Sequence, residues 1–404
     1  MELIFMEKKS ISGNNNSDLT EMNRSLILKI LKQKGVCSRA ELAKQTGLTN
    51  AAITKIVSAL INIGIVNETG LIKGNANRRS IGLQLNGKHY QVIGVKFARQ
   101  MFAVGVFDIT GKIYEKCEKK YGDQEDYEVV FEKIRQYINA YINKYPNIVA
   151  IGCAIPGPYL RHEGRIAMIT QMHRKWRNVD FISEFKKSFS IPVFLEHDAN
   201  AGALAEWWFG NHPRPLDSLV YFLVGEGVGA GIIEHGHLVV GAQGAAGEIG
   251  HVSINYNGPL CECGNYGCLE LYCCAKAMLQ KYEERMAPNS VPMNNCEQLF
   301  QAARSGNHLA MEIVEETARY IGYGCVMLIN AYNPQIICIG DVVSAGGDLM
   351  LKTIQNVVKE RVIPELYNRV QIQITDFEID PILYGAAALA TDNILQVPSA
   401  FTSI

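Results

Sequence analysis

The chain has 404 residues, of which 48% are hydrophobic and 20% charged, with a formal net charge of −1. That composition describes a globular protein of two or three domains; it excludes a disordered chain, and no apolar run reaches membrane-spanning length. Eleven Cys at scattered positions, behind a start with no signal-peptide pattern, point to reduced thiols in the cytoplasm and exclude a secreted disulfide framework.

The near-zero charge conceals an asymmetry. Residues 1–90 carry 13 Lys/Arg against 6 Asp/Glu, and the remainder carries 26 against 34. A basic N-terminal segment on an acidic body is the pattern of a nucleic-acid-binding module joined to a second function.

Residues 1–17 are polar, end in GNNNS and read as a flexible tail. From Asp18 the pattern is helical, with Leu26, Ile27, Ile30 and Leu31 at three- and four-residue spacing and Gly35 as the stop. Ser38 and Glu41 form a capping-box pair that opens a short helix ended by Gly47. Thr49 caps a third helix whose apolar face is Ile53, Ile56, Val57, Leu60 and Ile61. Short helix, tight turn, longer helix is the helix-turn-helix pattern. Two strands around an Arg-bearing loop follow and complete a winged helix over 18–87. The residues expected at DNA are Ser38 and Arg39, then Thr49, Asn50, Ala51, Thr54 and Lys55 at the head of the third helix, and Arg78 and Arg79 in the wing. Small polar side chains at the start of a recognition helix permit close approach to base edges, and wing Arg suits the negative potential of a minor groove.

Residues 88–404 read as α/β. Residues 92–113 give strand, turn, strand, Thr-Gly turn and a third strand, followed by an amphipathic helix over 127–145. Residues 148–158 are a buried strand running into a Pro-Gly loop. Residues 191–210 are a strand followed by a helix, with Glu196, His197, Asp198 and Asn200 at the junction; a carboxylate there is a candidate base, an N-cap being the alternative. From Ser218 the three-strand layout of 92–113 appears again, which predicts an internal duplication of the actin-like, ribonuclease-H-like kind. Residues 274–331 are largely helical, 334–341 are a further buried strand, and a helix over 383–395 closes the chain.

The stretch richest in chemistry is 244–270. It places His251, Cys261, Cys263 and Cys268 at ligand-like spacing, with Gly258, Gly264 and Gly267 to form the turns between them. Thiolates and a neutral imidazole favour tetrahedral zinc, and four protein ligands make a closed, structural site over 251–268. Trp207, Trp208, Cys273 and Cys274 are expected in the core, and His235 and His237 in a solvated turn.

GEIGH followed by C-x-C-x4-C-LE resembles the signature of the ROK family (repressors, open reading frames, sugar kinases), and the resemblance extends over about 18–390. In that family the His and three Cys bind zinc, while the Glu of GEIGH, its His and the Glu after the last Cys contact a sugar. The resemblance therefore implies Glu248, His251 and Glu270 as sugar ligands. Asp198 matches the family's catalytic Asp and Asn200 is kept, while His197 stands where many kinases have Asn, so His197 and Asp198 join the sugar set.

The phosphate side departs from the family's kinases. Their D-x-G-G-T is Lys96-Phe97-Ala98-Arg99-Gln100 here, G-T-G is Gly225-Glu226-Gly227, and a later Gly-Gly is Gly340-Asp341. A β-carbon obstructs the approach of backbone to phosphate. A carboxylate about 4 Å from a phosphate charge is repelled by roughly 4 kcal/mol at an effective dielectric near 20. The expectation is a vestigial base at Asp198, no kinase activity, and a DNA-bound repressor of carbohydrate genes released by a monosaccharide or derivative. A homodimer or homotetramer suits a palindromic operator. The alternatives are a sugar kinase that retains a winged helix, and a repressor controlled by a protein partner.

Overall fold

The computed structural model describes residues 16–73, 79–122, 125–167, 176, 179–288 and 291–401. The expected tail falls almost wholly outside these residues, as does Arg78. The described residues pack as two units, one drawn from 1–154, 180–196 and 386–404, the other from 155–179 and 197–385.

The first unit opens with α1 (Asn16–Lys34), which starts two residues before the expected Asp18, then β1 (Cys37–Ser38), α2 (Arg39–Thr46), α3 (Asn50–Asn62), β2 (Val66–Lys73) and β3 (Arg79–Leu85). The capping box holds in both directions: Ser38 Oγ accepts from Glu41 N at 3.3 Å, and Glu41 Oε2 accepts from Ser38 N at 2.7 Å. Gly47 caps α2 at φ 71°, and Thr49 Oγ1 accepts from Ala52 N at 3.2 Å to start α3. Ile53, Val57 and Leu60 of α3 are fully buried, each worth about 1.5–3 kcal/mol against exposure. The three strands run β1-β3-β2, with Cys37 opposite Leu83. A two-residue strand has no room for an alternating pattern, so β1 was not visible in the sequence. Tyr90 Oη donates to Ile63 O at 2.9 Å, Asn86 Nδ2 to Gly64 O at 2.9 Å and Lys32 Nζ to Thr110 O at 3.0 Å. The Tyr90 and Lys32 bonds tie the winged helix to the α/β part of the same unit, and the Asn86 bond closes the winged helix on itself.

That part contains β4 (Gln91–Phe97), β5 (Met101–Asp108), β6 (Ile113–Lys120), α4 (Tyr127–Lys144) and β7 (Ile148–Ile155). A short hairpin of β8 (Tyr159–Leu160) and β9 (Arg165–Ile166) belongs to the second unit. The chain then returns to the first unit with α5 (Phe181–Ser188) and β10 (Val193–His197). The sheet order is β10-β7-β4-β5-β6, with β4 antiparallel to β5 and parallel to β7. Every residue of β4 and β7 is buried; β7 accordingly reads as a continuous apolar run, while β4 buries Gln91 and Lys96 as well. Phe131 anchors an aromatic core, 5.6 Å between ring centroids from Phe97 and from Phe181 and 5.3 Å from Phe185.

The second unit holds α6 (Asp198–Phe209), β11 (Ser218–Val224), β12 (Val228–Glu234), β13 (His237–Leu238), α7 (Glu270–Cys273), α8 (Ala275–Arg285), α9 (Cys296–Arg304) and α10 (His308–Tyr332). It continues through β14 (Ile336–Gly340), α11 (Asp348–Arg361), α12 (Pro364–Tyr367) and β15 (Gln371–Ile374) to the start of α13 (Pro381–Gln396). Its sheet order, β13-β12-β11-β14-β15, read from the other edge repeats the first sheet position for position. Strand directions repeat too, β11 being antiparallel to β12 and parallel to β14. The expected duplication is thus present in topology. Trp207, Trp208, Cys273 and Cys274 lie in the core as expected. His235 is exposed and pairs with Asp217 at 2.9 Å.

Candidate functional site

In the first unit, the head of α3 is a polar surface on an apolar helix. Thr49, Asn50, Ala51, Thr54 and Lys55 are all exposed, while Ile53 and Val57 between and behind them face inward. Arg79 is exposed at the start of β3, opposite Lys73. Ser38 and Arg39, also expected at DNA, both engage carboxylates of the same domain. Ser38 is only 2% exposed, and its hydroxyl is engaged with Glu41, accepting from its N–H and donating to Oε2 at 2.9 Å. The capping role absorbs that side chain and removes it from a DNA-facing surface. Arg39 reaches Glu68 on β2 at 2.9 Å, where it braces the wing.

In the second unit, His251, Cys261, Cys263 and Cys268 converge, with one donor atom from each within 4.8 Å of the others. Cys261 Sγ lies 3.7 Å from His251 Nδ1, and Cys263 Sγ 3.6 Å from Cys268 Sγ. The backbone closes the loop around them: Gly264 N donates to Cys261 O at 2.9 Å, Cys261 N to Asn265 O at 2.8 Å and Leu269 N to Val252 O at 3.0 Å. This donor set can hold a metal ion. Because Nδ1 of His251 faces the sulfurs, its Nε2 remains for a ligand.

The loop before it is pressed onto β12. Gly247, at φ 90°, has no room for a β-carbon, which would stand 1.9 Å from Ala230 O; at Gly250 the distance to Val228 O would be 2.1 Å. Close approach of two backbones explains both glycines of GEIGH. It also places Glu248 among four other expected ligands, since His197, His251, Asp198 and Glu270 all act on its charge. Burial, the largest influence, raises the Glu248 carboxyl above the usual range, and the two imidazoles oppose it. Its Oε1 is buried and has no hydrogen-bond partner among the described residues. Glu270 Oε2 accepts from Val228 N at 2.9 Å, which fixes one oxygen at the head of β12.

His197 lies at the end of β10, where Asp198 begins α6, and its Nε2 is 3.0 Å from Asp198 Oδ1. Burial alone would discharge this imidazole, but the carboxylates of Asp198 and Glu248 outweigh it and push its pKa up to about 9. Asp198 Oδ1 also accepts from Ala199 N at 2.7 Å. A carboxylate oxygen already receiving a charged donor and a backbone N–H is a weak proton acceptor. The imidazole is packed closely, for a β-carbon on Gly157 would meet its Nε2 at 2.1 Å. Five side chains expected to bind one ligand are therefore gathered in a single unit, two of them imidazoles and three carboxylates. The Pro-Gly loop at the end of β7, which holds Gly157, was expected to meet a ligand; the Val228 amide was missed, because a backbone N–H carries no residue type to recognise.

The G-E-G turn joins β11 to β12, closed by Gly225 N donating to Gly227 O at 2.9 Å. A β-carbon at Gly225 would lie 1.9 Å from Asp341 Oδ2, so a carboxylate from the end of β14 occupies the face of this turn. Asp341 sits at φ 69°, ψ −149°, a conformation that is close to glycine-only.

A winged helix joined to a body of two topologically repeated α/β sheets, with clustered carboxylates and imidazoles beside a Cys/His group able to hold a metal, is the architecture of a DNA-binding protein built on a sugar-kinase scaffold. The chain belongs to the ROK family, which matches residues 92–393, and a winged helix-turn-helix DNA-binding family matches residues 23–67. It is 31% identical to a xylose repressor of Caldicellulosiruptor bescii over 95% of this chain and 99% of that protein. A crystal structure of a ROK family transcriptional regulator, a homologue of the Escherichia coli MLC protein, superposes with a TM-score of 0.80 at 25% identity, covering 96% of this chain and all of that one. A ROK family glucokinase from Streptomyces griseus, in complex with glucose and AMPPNP, superposes with a TM-score of 0.64 at 26% identity over 74% of this chain and 99% of its own.

Proposed function

We propose that this protein is a sugar-responsive transcriptional repressor of carbohydrate-utilisation genes whose kinase activity is lost. The observation that carries this is Asp341 Oδ2 on the face of the Gly225–Gly227 turn, in a unit that keeps its carboxylate and imidazole set together. A polyphosphate meets negative charge at that turn, while a polyhydroxy ligand finds paired acceptors at Glu248, Asp198 and Glu270 and donors at His197 and His251. The similarity to a xylose repressor supports a monosaccharide or a derivative as the effector.

In this reading residues 18–87 are the DNA-binding domain and 88–404 the sugar-binding domain, acting in the cytoplasm. His251, Cys261, Cys263 and Cys268 hold a structural zinc that fixes the loop presenting His251 and Glu270. Thr49, Asn50, Ala51, Thr54 and Lys55 face the major groove, and Arg79, with Arg78 outside the described residues, serves the wing. A homodimer or homotetramer places two recognition helices on a palindromic operator. The sugar weakens operator binding by preferring the DNA-free state, and by linkage the operator weakens sugar binding by the same factor. The chain passes from the unit holding the winged helix to the unit holding the ligand set between Glu196 and His197, so the first ligand group follows that passage directly in sequence.

The test is binding of a fluorescent fragment from upstream of its own operon, titrated with a panel of monosaccharides and their phosphates, beside an ATP-coupled phosphorylation assay. One sugar should lower DNA affinity and none should be phosphorylated. Phosphorylation at ordinary turnover contradicts the proposal, as does a failure to bind DNA.

A further inference from the structure

Among the described residues a second group of metal-type donors lies inside the second unit, apart from the loop cluster. It consists of Glu206 near the end of α6, His212 in the connection that follows, and Cys338 in the middle of β14. One donor atom from each lies within 4.8 Å of the others, and all three residues are buried. His212 Nε2 is 2.7 Å from Glu206 Oε2 and 3.9 Å from Cys338 Sγ. The side chains of Glu206 and His212 have no accessible surface.

Two further groups hold these donors from outside. Thr375 Oγ1 donates to Glu206 Oε1 at 2.6 Å, and the Gln373 amide lies 3.5 Å from His212 Nδ1. The backbone is also drawn in: a β-carbon on Gly210 would stand 2.4 Å from His212 Nε2 and 2.7 Å from Glu206 Oε2. Only glycine allows the chain to pass this close while it brings His212 back onto α6.

We propose that Glu206, His212 and Cys338 form a second, buried transition-metal site of the zinc class. Imidazole, thiolate and carboxylate together are a borderline donor set that suits Zn2+ over Mg2+ or Ca2+. Bond lengths of about 2.0–2.3 Å place tetrahedral donors roughly 3.3–3.8 Å apart. The His212–Cys338 separation is already close to that, and the Glu206–His212 contact opens by about half an ångström on binding. In the structure Gln373 presents its Nε2 to His212 Nδ1, and its Oε1 accepts from Gln371 Nε2 at 2.7 Å. Metal at Nε2 of His212 requires both amides to turn so that the Gln373 oxygen takes Nδ1–H, while Thr375 already orients the carboxylate. A fourth position remains for water. The ion would pin α6, which begins at Asp198, to β14, which leads to Asp341. It would thus brace the ligand set against the altered phosphate turn within one unit.

The alternative occupant of this space is the hydrogen-bond network alone. Metal content of the purified full-length protein separates the two. The proposal expects two zinc equivalents per chain, one remaining in the Cys261→Ser/Cys263→Ser protein and one in Cys338→Ala. One equivalent in the wild type, or two that survive Cys338→Ala, overturns it. Should Cys338→Ala not fold, cobalt substitution of the Cys261→Ser/Cys263→Ser/Cys268→Ser protein, which keeps no loop thiolate, decides. A weak thiolate-to-cobalt band from a single sulfur supports the site, and no such band overturns it.

Discussion

Asp341 Oδ2 lies 1.9 Å from the position a β-carbon on Gly225 would occupy, so one carboxylate fills the turn that in a kinase faces phosphate. The chain holds Asp341 there in a backbone conformation, φ 69° and ψ −149°, that disfavours any side chain by about 1–3 kcal/mol. Asp341→Gly relieves that strain, offset by about 0.5–1 kcal/mol for the freer unfolded chain. The expected result is unchanged or slightly higher stability in urea unfolding. ATP should still give no thermal shift, because Glu226 and the 96–100 loop remain. A loss of more than about 2 kcal/mol would mean that the Asp341 side chain contributes interactions exceeding the strain.

The His197–Asp198 pair predicts a pH dependence of definite sign. The folded imidazole titrates at about 9, above the ordinary 6.5, so the folded state binds the proton more tightly. Its stabilisation is fully present below pH 6.5 and is lost as pH rises through about 9. The loss is about 3 kcal/mol at most, at 1.36 kcal/mol per unit. Urea unfolding of wild type at pH 6, 8 and 9.5 should show this decline, and His197→Asn should flatten it. A wild-type profile as flat as the variant's would show that His197 is neutral in the fold.

Cys263 is the exposed member of the loop cluster, so metal there is open to chelators. Cys263→Ser should release one metal equivalent and abolish the effector response, because His251 and Glu270 lose their support. DNA affinity without effector should change less than about threefold, about 0.6 kcal/mol. Zinc content and DNA titration on the same preparation check both parts.

Lys55 and Arg79 are exposed and carry no base-edge pattern of their own, which suits a role at phosphates. Each single change to Ala should weaken operator and random DNA equally. The slope of log affinity against log salt should fall by about 0.9 for each phosphate that the side chain neutralises. An unchanged slope would remove that residue from the interface.

The architecture was legible wherever a periodic pattern ran for a full element. Helix α3 showed its Ile53, Val57 and Leu60 face, Ser38 and Glu41 announced the cap of α2, and β4 and β11 repeated each other's layout. Much of the clustering of His251 with the three Cys was legible because GEIGH and the three Cys are close in sequence. What lay hidden depended on distance in the chain. Asp341 is over a hundred residues from Gly225, and neither identity indicates that one fills the other's turn. The Glu206–His212–Cys338 cluster is assembled from a helix, a loop and a strand, and no spacing marks it. Ser38 shows the reverse limit, where one residue fitted two roles by type and burial decided for the cap.

In the proposed repressor the ligand set of the second unit controls DNA binding by the first. Glu248 probes that control most directly, with a buried Oε1 that has no partner among the described residues. The deciding experiment is operator affinity by fluorescence anisotropy for wild type and Glu248→Gln, each with and without the effector sugar found in the panel. Without sugar the two proteins should bind equally. With sugar, wild type should weaken at least fivefold, about 1 kcal/mol of coupling, and the variant should not weaken at all. A variant that responds to the sugar as wild type does would contradict the role of the ligand set.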